Sequence, residues 1–548
     1  MPLNYPSDVL ANAMVATSQP IAAQVGRDIL ERGGNAVDVA IATAAALTVV
    51  EPTSNGIGGD IFAQIWINGE LHGLNASSVA PAMMTPKALA DRGHTKSVPP
   101  TGIEPVTVPG TPAAWASLHE RWGTLPLTEL LAPAVDLARY GFEVTPTVAI
   151  LWQKEFEKYQ QAFGNSALMS EWAKVFTINN APPKAGTKFI LSDHGDTLEE
   201  LAATQCKSFY SGDLADKIDV YSKQLNGFIR KSDLASYAVE WVKPISTQYR
   251  GIDIWQMPPN GQGLVLLMAL NILEKYRFSS DNRHSLDTLH KQIEAMKLAY
   301  TDGQAYITQA DKMTTRVDSL LSKNYADQRR QLITETALNP FKGEPASGGT
   351  VYLATADQHG NMVSLMQSNF YGFGSGVVVP NTGIALHSRG YDFSLDPAHP
   401  NFLEPGKRTF HTIIPGFMSQ QVEGKQHAIG PFGVMGAYMQ PQGQLQVIMN
   451  MLDFGMTPQE ALNRPRWQWF GDKRVGIEKG FDQSLFDGLQ ARSHDIHWAE
   501  DETLYGRGQI IMRNQNQDEY NDYNYIGGTE PRCDGQVAGI QVVDIKEQ

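Results

Sequence analysis

Residues 347–361 read Ser347-Gly348-Gly349-Thr350-Val351-Tyr352-Leu353-Ala354-Thr355-Ala356-Asp357-Gln358-His359-Gly360-Asn361. The glycines before Thr350 let the backbone bend sharply. Val351 to Ala356 have the β-branched and aromatic content of a strand, and the residues after them have the composition of a turn. Taken alone, this stretch is most simply a β-strand with a glycine hinge in front of it.

The same stretch also suits a precursor that cuts its own backbone. If the bond between Gly349 and Thr350 is broken, Thr350 becomes an N-terminal residue with both a hydroxyl nucleophile and an α-amine base. The stretch alone does not distinguish a hinge from a cleavage site, so the distinction depends on the rest of the chain.

Length and composition narrow the class of protein. The chain has 548 residues, of which 42% are hydrophobic and 19% charged, as is ordinary for a soluble globular protein of two to four domains or one large composite. Its net charge of -14 argues against a nucleic-acid-binding surface. Cys206 and Cys533 provide neither a disulfide framework nor metal-ligand spacing, which is typical of a reducing compartment.

The sequence also bears on localisation. Residues 1–8 lack a basic start followed by an apolar run, so we predict no signal peptide. The most apolar run, Val39 to Val50, is too short to span a bilayer. We therefore expect a cytoplasmic protein without a membrane partner, although export by another route stays open.

Local patterns predict the class of fold. Asn35 is placed to cap a buried helix from Ala36 to about Val50. The glycine-rich stretch Asn55 to Asp60 follows that helix and precedes a strand, which is the wrong order for a dinucleotide site or a P-loop. Short strands and apolar helices in both halves indicate a layered α/β sandwich. The polar stretch from Met313 to Ala346 predicts an exposed linker.

Blocks of sequence in a consistent order resemble the γ-glutamyltranspeptidase family of N-terminal-nucleophile hydrolases over nearly the whole chain. Many dispersed blocks in the right order are more specific than any single motif. The blocks are Ala23 to Asp38, Val108 to Thr111, Tyr140 to Phe142, Phe209 to Gly212, Tyr249 to Gly251, Met257 to Pro259, Glu294 to Tyr300, Thr350 to Asn361, Phe373 to Gly376 and Gly527 to Gly535.

The resemblance implies a precursor cut between Gly349 and Thr350. Its products would be a large (alpha) subunit, residues 1–349, and a small (beta) subunit, residues 350–548, which bears the nucleophile. The two would stay associated as one composite domain, a four-layer αββα sandwich of the α/β class. Whether two such heterodimers pair stays open, and the sequence indicates no metal, nucleotide or flavin cofactor.

The chemistry expected of Thr350 follows from its two functional groups. An N-terminal α-amine has a pKa of about 7.7–8.0, so much of it is neutral near pH 8 and can take the hydroxyl proton. The Oγ atom would then attack an amide carbonyl, and the acyl group would pass from Thr350 to water or to an amine. Because the amine is masked before cleavage, the precursor should be inactive.

The family also implies an oxyanion hole. The glycine-rich stretch Gly430 to Gly436 resembles the family's oxyanion turn, so we expect the backbone N–H groups of Gly433 and Val434 to be the donors. The family has a pair of glycines at this point, and here the second is Val434. The alternative is a glycine turn that serves only packing.

The acyl pocket departs from the family pattern. True γ-glutamyl enzymes hold a carboxylate with an arginine at the position of Ser77, and here that arginine is missing. Their glutamine is replaced by Arg389, and their threonine and asparagine fall on Ser368 and Phe370, with Asn369 adjacent. The residues expected to bind substrate are Ser77, Ser368, Asn369, Arg389, Asp392, His411 and Thr412.

Three of these residues have open alternatives. Arg389 either grips an acidic group of the substrate, as a charge-assisted contact would allow, or forms an ion pair with Asp392. Asp392 could instead pair with Arg408. His411 is either a hydrogen-bond donor in the pocket or a structural histidine.

The replacements resemble the branch of the family that includes oxamate amidohydrolase and cephalosporin-acylase-like proteins. They predict a self-cleaving amidohydrolase or acyltransferase acting on a small-molecule amide with an acidic acyl group, such as an oxamate-like or glutaryl amide. One alternative is a genuine glutathione hydrolase/γ-glutamyltransferase. A second is an uncleaved, non-catalytic binding protein on the same scaffold.

Overall fold

Two seven-stranded β-sheets face each other at the centre of the structure, a computed structural model that describes residues 5–283, 285–340, 349–514 and 525–541. The strands are β1 (Val9–Ala11), β2 (Ala13–Thr17), β3 (Asp60–Ile67), β4 (Glu70–Ala76), β5 (Phe142–Glu143), β6 (Lys188–Phe189), β7 (Glu240–Val242), β8 (Ile245–Tyr249), β9 (Ile252–Gln256), β10 (Gly349–Ala356), β11 (Met362–Phe370), β12 (Val378–Val379), β13 (Ile384–Ala385), β14 (Gly416–Val422), β15 (Lys425–Met435), β16 (Trp467–Gly471), β17 (Arg474–Ile477), β18 (Asp495–Trp498), β19 (Arg507–Arg513), β20 (Tyr525–Thr529) and β21 (Gln536–Ile540).

Helices flank both sheets. They are α1 (Pro20–Glu31), α2 (Ala36–Val50), α3 (Pro86–Ala90), α4 (Thr111–Trp122), α5 (Leu127–Tyr140), α6 (Pro146–Phe163), α7 (Ala167–Phe176), α8 (Ser192–Ala203), α9 (Lys207–Ser211), α10 (Asp213–Gln224), α11 (Lys231–Ala235), α12 (Gly263–Leu273), α13 (Leu286–Tyr306), α14 (Val317–Leu320), α15 (Lys323–Arg330), α16 (Gln440–Leu452), α17 (Pro458–Leu462) and α18 (Gln483–Ala491). Short 3₁₀ turns include Arg389–Asp392 and Ala437–Met439. Within the described ranges, no helix is both long enough and apolar enough to cross a membrane.

Each of the two large sheets combines strands that are far apart in the sequence. One sheet has the order β1-β20-β19-β15-β14-β9-β8, and the other has the order β21-β2-β10-β11-β3-β4-β7. Neighbouring strands in both sheets are antiparallel. The chain on either side of the Gly349–Thr350 bond contributes strands to both sheets, so neither side has a sheet of its own.

Side-chain alternation along β10 explains the layering. Tyr352, Ala354 and Ala356 point towards the other sheet and join the core between the sheets. Val351 and Leu353 point the other way and pack in the core that contains α2. Because both faces of the strand are covered, its residues after Gly349 are buried.

The outer layers complete the architecture. Helices α1, α2, α4 and α5 share a core with the sheet that contains β10, whereas α12, α13 and α16 share a core with the sheet that contains β15. The order of layers is helix, sheet, sheet, helix, which confirms the predicted four-layer sandwich. The predicted cap of α2 is also confirmed, because the Asn35 side chain accepts hydrogen bonds from the first turn.

The predicted linker between Met313 and Ala346 is wrong over its described part. It contains helices α14 and α15, and residues 341–346 lie outside the described residues. In α15 only Ala326 is buried, and its charged residues pair with neighbouring elements, for example Arg329 with Asp302 and Lys275 with Asp327. Those partners explain why a packed helix has a linker-like composition.

Candidate active site

Thr350 lies at the start of β10 and is buried. Its Oγ1 donates a hydrogen bond to Ser368 Oγ at 3.2 Å. Ser368 Oγ in turn donates to the carbonyl oxygen of Gly349 at 2.7 Å. One serine hydroxyl therefore bridges the hydroxyl of Thr350 and the carbonyl of the peptide bond that precedes it.

The hairpin of β10 and β11 produces this geometry. Gly349 pairs with Phe370 and Val351 with Gln367, and the register shifts between these pairs, so Thr350 lies at a bulge. Bulges re-aim a side chain at the edge of a regular ladder. A side chain at Gly349 would be crowded, because a Cβ there would lie 3.0 Å from both Gly372 N and Ser54 Cα.

Gln440, the first residue of α16, also reaches the hydroxyl. Its Nε2 lies 3.5 Å from Thr350 Oγ1, and its Oε1 accepts a hydrogen bond from Ile414 N at 3.0 Å. The second contact fixes which end of the amide faces Thr350. Sequence analysis missed Gln440, because its contact with Thr350 depends on how α16 meets β10 and no local pattern signals it.

The structure does not form a turn where the oxyanion turn was expected. Gly433 and Val434 lie within β15, paired with Gln509 and Gly508 of β19. A Cβ at Gly433 would lie 2.7 Å from the ring of Tyr352, so this glycine is needed for packing between the sheets.

Strand β15 ends at Met435, and the chain leaves its pairing with β19 at Gly436. Gly436 has φ +134° and Ala437 has φ +50°, and this turn leads directly into the short 3₁₀ helix that precedes α16. A positive φ is unusual for a residue other than glycine. The predicted turn is thus displaced from Gly433–Val434 to Gly436–Ala437.

Arg389 is the centre of a buried polar network. Its Nε lies 3.1 Å from Asp60 Oδ2, and its Nη1 lies 3.2 Å from Asp392 Oδ2. It also donates to Thr412 Oγ1 at 2.9 Å and to Ser368 Oγ at 3.4 Å. Of the two alternatives for Arg389, the ion pair with Asp392 is present in the structure. Arg408 pairs elsewhere, with Glu240.

Asp60 was not predicted as a site residue. It ends the glycine-rich turn at the start of β3, and its Oδ2 accepts hydrogen bonds from Arg389 Nε and, at 3.0 Å, from His411 Nε2. Burial on its own would raise the pKa of the Asp60 carboxyl, but the two nearby histidines and Arg389 hold it well below its usual value. Asp60 is therefore the anion that balances Arg389.

His411 has the contacts of a structural residue. Its Nε2 donates to Asp60, and its Nδ1 accepts a hydrogen bond from Ile413 N at 3.2 Å. Burial and the neighbouring Arg389 lower the pKa of His411 to about 3, so the imidazole is neutral. Both ring nitrogens are then occupied.

Asp392 has a different environment from Asp60. Its Oδ1 accepts a hydrogen bond from Tyr438 Oη at 3.2 Å. Burial raises the pKa of Asp392 to about 6, against the opposing effect of Arg389. This carboxyl consequently changes its charge in the mildly acidic range.

Some predicted pocket residues make no contact with Thr350. Ser77 Oγ donates to Asn75 Oδ1 at 2.7 Å, and the Ser77 carbonyl accepts a hydrogen bond from the guanidinium of Arg408. The amide of Asn369 lies against Gly56 and Gly59 and has no hydrogen-bond partner among the described residues. The predicted residues that do form one network with Thr350 are Ser368, Arg389, Asp392, His411 and Thr412.

One buried cluster outside this site has residue types that bind metals. Possible ligand atoms of His290, Glu294 and His494 lie within 4.8 Å of one another. However, His290 Nδ1 and His494 Nε2 are only 2.8 Å apart, and Lys297 Nζ lies 2.8 Å from Glu294 Oε1. His290 Nε2 contacts the Thr334 carbonyl, so it carries the proton and Nδ1 accepts from His494. A lysine and a hydrogen-bonded histidine pair thus occupy the place of a cation.

Comparisons with known proteins identify the family of this chain. The family model described as gamma-glutamyltranspeptidase matches residues 22–540. The chain is 33% identical to the glutathione hydrolase-like YwrD proenzyme of Bacillus subtilis, over 96% of this chain and 98% of that protein. It is 30% identical to the oxamate amidohydrolase proenzyme of Klebsiella pneumoniae, over 98% of this chain and all (100%) of that protein.

A solved structure is more similar still. The crystal structure of cephalosporin acylase from Bacillus halodurans superposes with a TM-score of 0.93 at 50% sequence identity, and the match covers 99% of each chain.

Proposed function

The chain belongs to the γ-glutamyltranspeptidase family, and on that basis we propose that it is a self-cleaving amidohydrolase whose nucleophile is Thr350. The proposed substrate is an amide with an acidic acyl group. The observation that carries the proposal is the Ser368 hydroxyl, which bridges the Thr350 hydroxyl and the Gly349 carbonyl.

Self-cleavage follows from this bridge. Thr350 Oγ attacks the carbonyl carbon of Gly349; its proton passes to Ser368, which gives its own proton to the carbonyl oxygen. The C–N bond then breaks, the α-amine of Thr350 leaves with a proton, and residue 349 is held as an ester on Thr350 Oγ. Water hydrolyses the ester, which yields the Gly349 carboxylate and a free Thr350.

In substrate turnover, Thr350 Oγ is again the nucleophile, but a different group acts as the base. The freed α-amine of Thr350 takes the hydroxyl proton as Oγ attacks the substrate amide, and that proton goes to the leaving amine as the C–N bond breaks. The acyl group stays on Thr350 Oγ until water, or an acceptor amine, attacks the ester. Hydrolysis regenerates the hydroxyl and releases the acid.

The negative charge that forms on the carbonyl oxygen needs donors. We assign them to the turn at Gly436 and Ala437, because it departs from the ladder and precedes Gln440, which contacts Thr350 Oγ1. The side-chain N–H group of Gln440 is a further donor beside the nucleophile.

Two observations support an acidic acyl group. The position of the family's carboxylate-binding arginine is Ser77, so γ-glutamyl recognition has lost its main cation. Relatives across nearly the full length carry the names oxamate amidohydrolase and cephalosporin acylase. The second candidate, glutathione hydrolysis or γ-glutamyl transfer, is favoured by the relative named glutathione hydrolase-like and by Arg408, whose guanidinium lies beside Ser77.

A panel of amides tests the proposal. The processed enzyme should release 4-nitroaniline from glutaryl-4-nitroanilide, or ammonia from oxamate, faster than it releases 4-nitroaniline from γ-glutamyl-4-nitroanilide. Thr350→Ala is the control and should be inactive on every substrate. Faster turnover of the γ-glutamyl amide would favour the second candidate, whereas an uncleaved chain without turnover would indicate a non-catalytic binding protein.

A further inference from the structure

A cleft of about 310 Å³ opens on the bond that is proposed to be cut. Gly349 lies in its wall. Helix α6 contributes Lys154 and Lys158 to its lining, and the start of β19 contributes Arg507. Glu155 and Asp501 also line the cleft, so three cations and two carboxylates surround the space beside Gly349.

Arg507 differs from the other cations of the cleft. Its Nη1 lies 3.1 Å from Glu51 Oε1, and its Nε and Nη2 make no hydrogen bond to any residue that the structure describes. Lys154 is instead paired with Asp501 at 2.8 Å, and Lys158 is paired with Glu155. The guanidinium of Arg507 thus retains N–H groups in the fork arrangement that fits a carboxylate.

The position of Arg507 ties it to the catalytic turn. In the ladder of β15 and β19, Arg507 is paired with Met435, the residue before Gly436. Gly436 belongs to the turn assigned above to the oxyanion. Arg507 therefore lines the cleft and is also adjacent, in the sheet, to the turn assigned to the oxyanion.

Arg389 is poorly placed for the same task. Its Nε and Nη1 are engaged by Asp60, Asp392 and Thr412, and its side chain is fully buried. A substrate carboxylate would have to displace one of two buried carboxylates to reach these nitrogens. Such an exchange leaves a buried charge without a partner, which is strongly unfavourable.

The ester formed during self-cleavage indicates where the acyl group of a substrate would lie. In the ester formed during cleavage, the acyl group on Thr350 Oγ is residue 349, and Gly349 borders this cleft. An acyl-enzyme formed from substrate has the same ester bond at the same oxygen. We propose that the acyl chain of the substrate extends from Thr350 into this cleft and that Arg507 binds its carboxylate. This inference rests on the function proposed above.

Two substrates that differ only in charge test it. Glutaryl-4-nitroanilide and pentanoyl-4-nitroanilide have the same leaving group and the same acyl length, but only the first has a carboxylate. In a Glu51→Gln background, where no buried carboxylate loses its partner, Arg507→Met should raise KM for the glutaryl amide at least tenfold with a small change in kcat, because it removes binding that is equal in the ground and transition states. It should leave kcat/KM for the pentanoyl amide within about twofold.

Two further variants control the experiment. Arg507→Lys keeps a cation beside Glu51 and loses the fork, so it should process itself and raise KM for the glutaryl amide by a smaller factor. Lys174→Met removes an exposed cation of α7 that is outside the cleft, and it should behave as wild type.

Equal losses on both substrates, or an unchanged preference for the glutaryl amide in the Arg507 variants, would overturn the inference while leaving self-cleavage and hydrolysis intact. A wild-type chain that never processes itself would instead overturn the proposed function.

Discussion

Among single residues, Ser368 links the hydroxyl of Thr350 to the carbonyl of Gly349. Ser368→Ala should lengthen the half-time of self-cleavage by roughly 100-fold or more, since it removes a donor to the developing oxyanion. Ser368→Thr keeps the hydroxyl and should retain most of the rate. Gel densitometry of freshly purified precursor measures both half-times. Processing of Ser368→Ala at a rate close to that of wild type would assign the serine a structural role only.

Asp392 should make stability depend on pH. Burial raises its pKa from an ordinary value of 3.8 to about 6 in the folded chain. An acid whose pKa is raised by folding contributes stability at low pH, and this contribution is lost as the pH rises through the folded pKa. Between pH 4 and pH 7, a change of about 2 to 3 kcal/mol in the free energy of unfolding is expected from this group.

Urea unfolding of a Thr350→Ala chain, with and without Asp392→Asn, measures this contribution. As the pH rises from 4 to 7, the unfolding free energy of the form with Asp392 should fall relative to that of the Asp392→Asn form. A difference that stays constant over this range would contradict the raised pKa.

The sequence predicted site residues unevenly. Thr350 could be placed because it begins a recognisable block, and Ser368, Arg389 and Asp392 because the family resemblance extends between the blocks. The pairing of Arg389 with Asp60 could not, because the two residues are 329 positions apart and meet only through the fold. Gln440 was missed for the same reason, since its contact with Thr350 depends on how α16 meets β10.

At the scale of elements, the end of β15 is where prediction and structure differ most. The glycines from Gly430 to Gly436 suggested a turn, yet most of them serve close packing in a strand. A Cβ at Gly430 would lie 2.0 Å from the Ile511 carbonyl oxygen, and a Cβ at Gly433 would meet Tyr352. A sequence shows that glycine is required, but not whether a turn or a neighbouring strand requires it.

The turn at Gly436 gives a prediction with a matched control. Gly436→Ala should lower kcat about tenfold or more with little change in KM, because φ +134° strains any other residue and displaces the turn beside Thr350. Gly455→Ala introduces a milder strain at φ +67°, in the left-handed helical region beyond the far end of α16, and should lower stability only. Steady-state kinetics of both processed variants measures the two effects. Equal losses of kcat would show that the turn has no specific part in catalysis.

At the scale of the whole molecule, the two proposed subunits are interleaved. Strands β10 and β11 of residues 350–548 lie between β2 and β3 of residues 1–349 in one sheet. Cutting one peptide bond removes none of the ladder or core contacts of these strands. The cleaved chains should therefore elute together on size exclusion in native buffer and separate only when denatured. Separation of folded halves in native buffer would contradict the composite domain.

The overall architecture was predicted better than its details. The resemblance implied four layers. The Asn35 cap and an apolar run located α2, and β-branched and aromatic residues located the strand after Thr350. The turn after Ala356 fits the hairpin of β10 and β11. The rest of the strand order could not be predicted, because the other neighbour of β10 comes from residues 13–17, which no local pattern connects to it. Helix α15 was missed because most of its residues are polar or charged; only Ala326 and Tyr325 pack against the core that contains α12.

The central claim is that the chain cuts itself before Thr350 and uses that residue as nucleophile. Intact-mass analysis of the purified wild-type chain after incubation, with Thr350→Ala in parallel, tests it most directly. The wild type should give two chains, the smaller beginning with Thr350, while Thr350→Ala stays a single chain of 548 residues. An uncut wild-type chain, a cut at another bond, or equal cleavage of the alanine variant would contradict the claim.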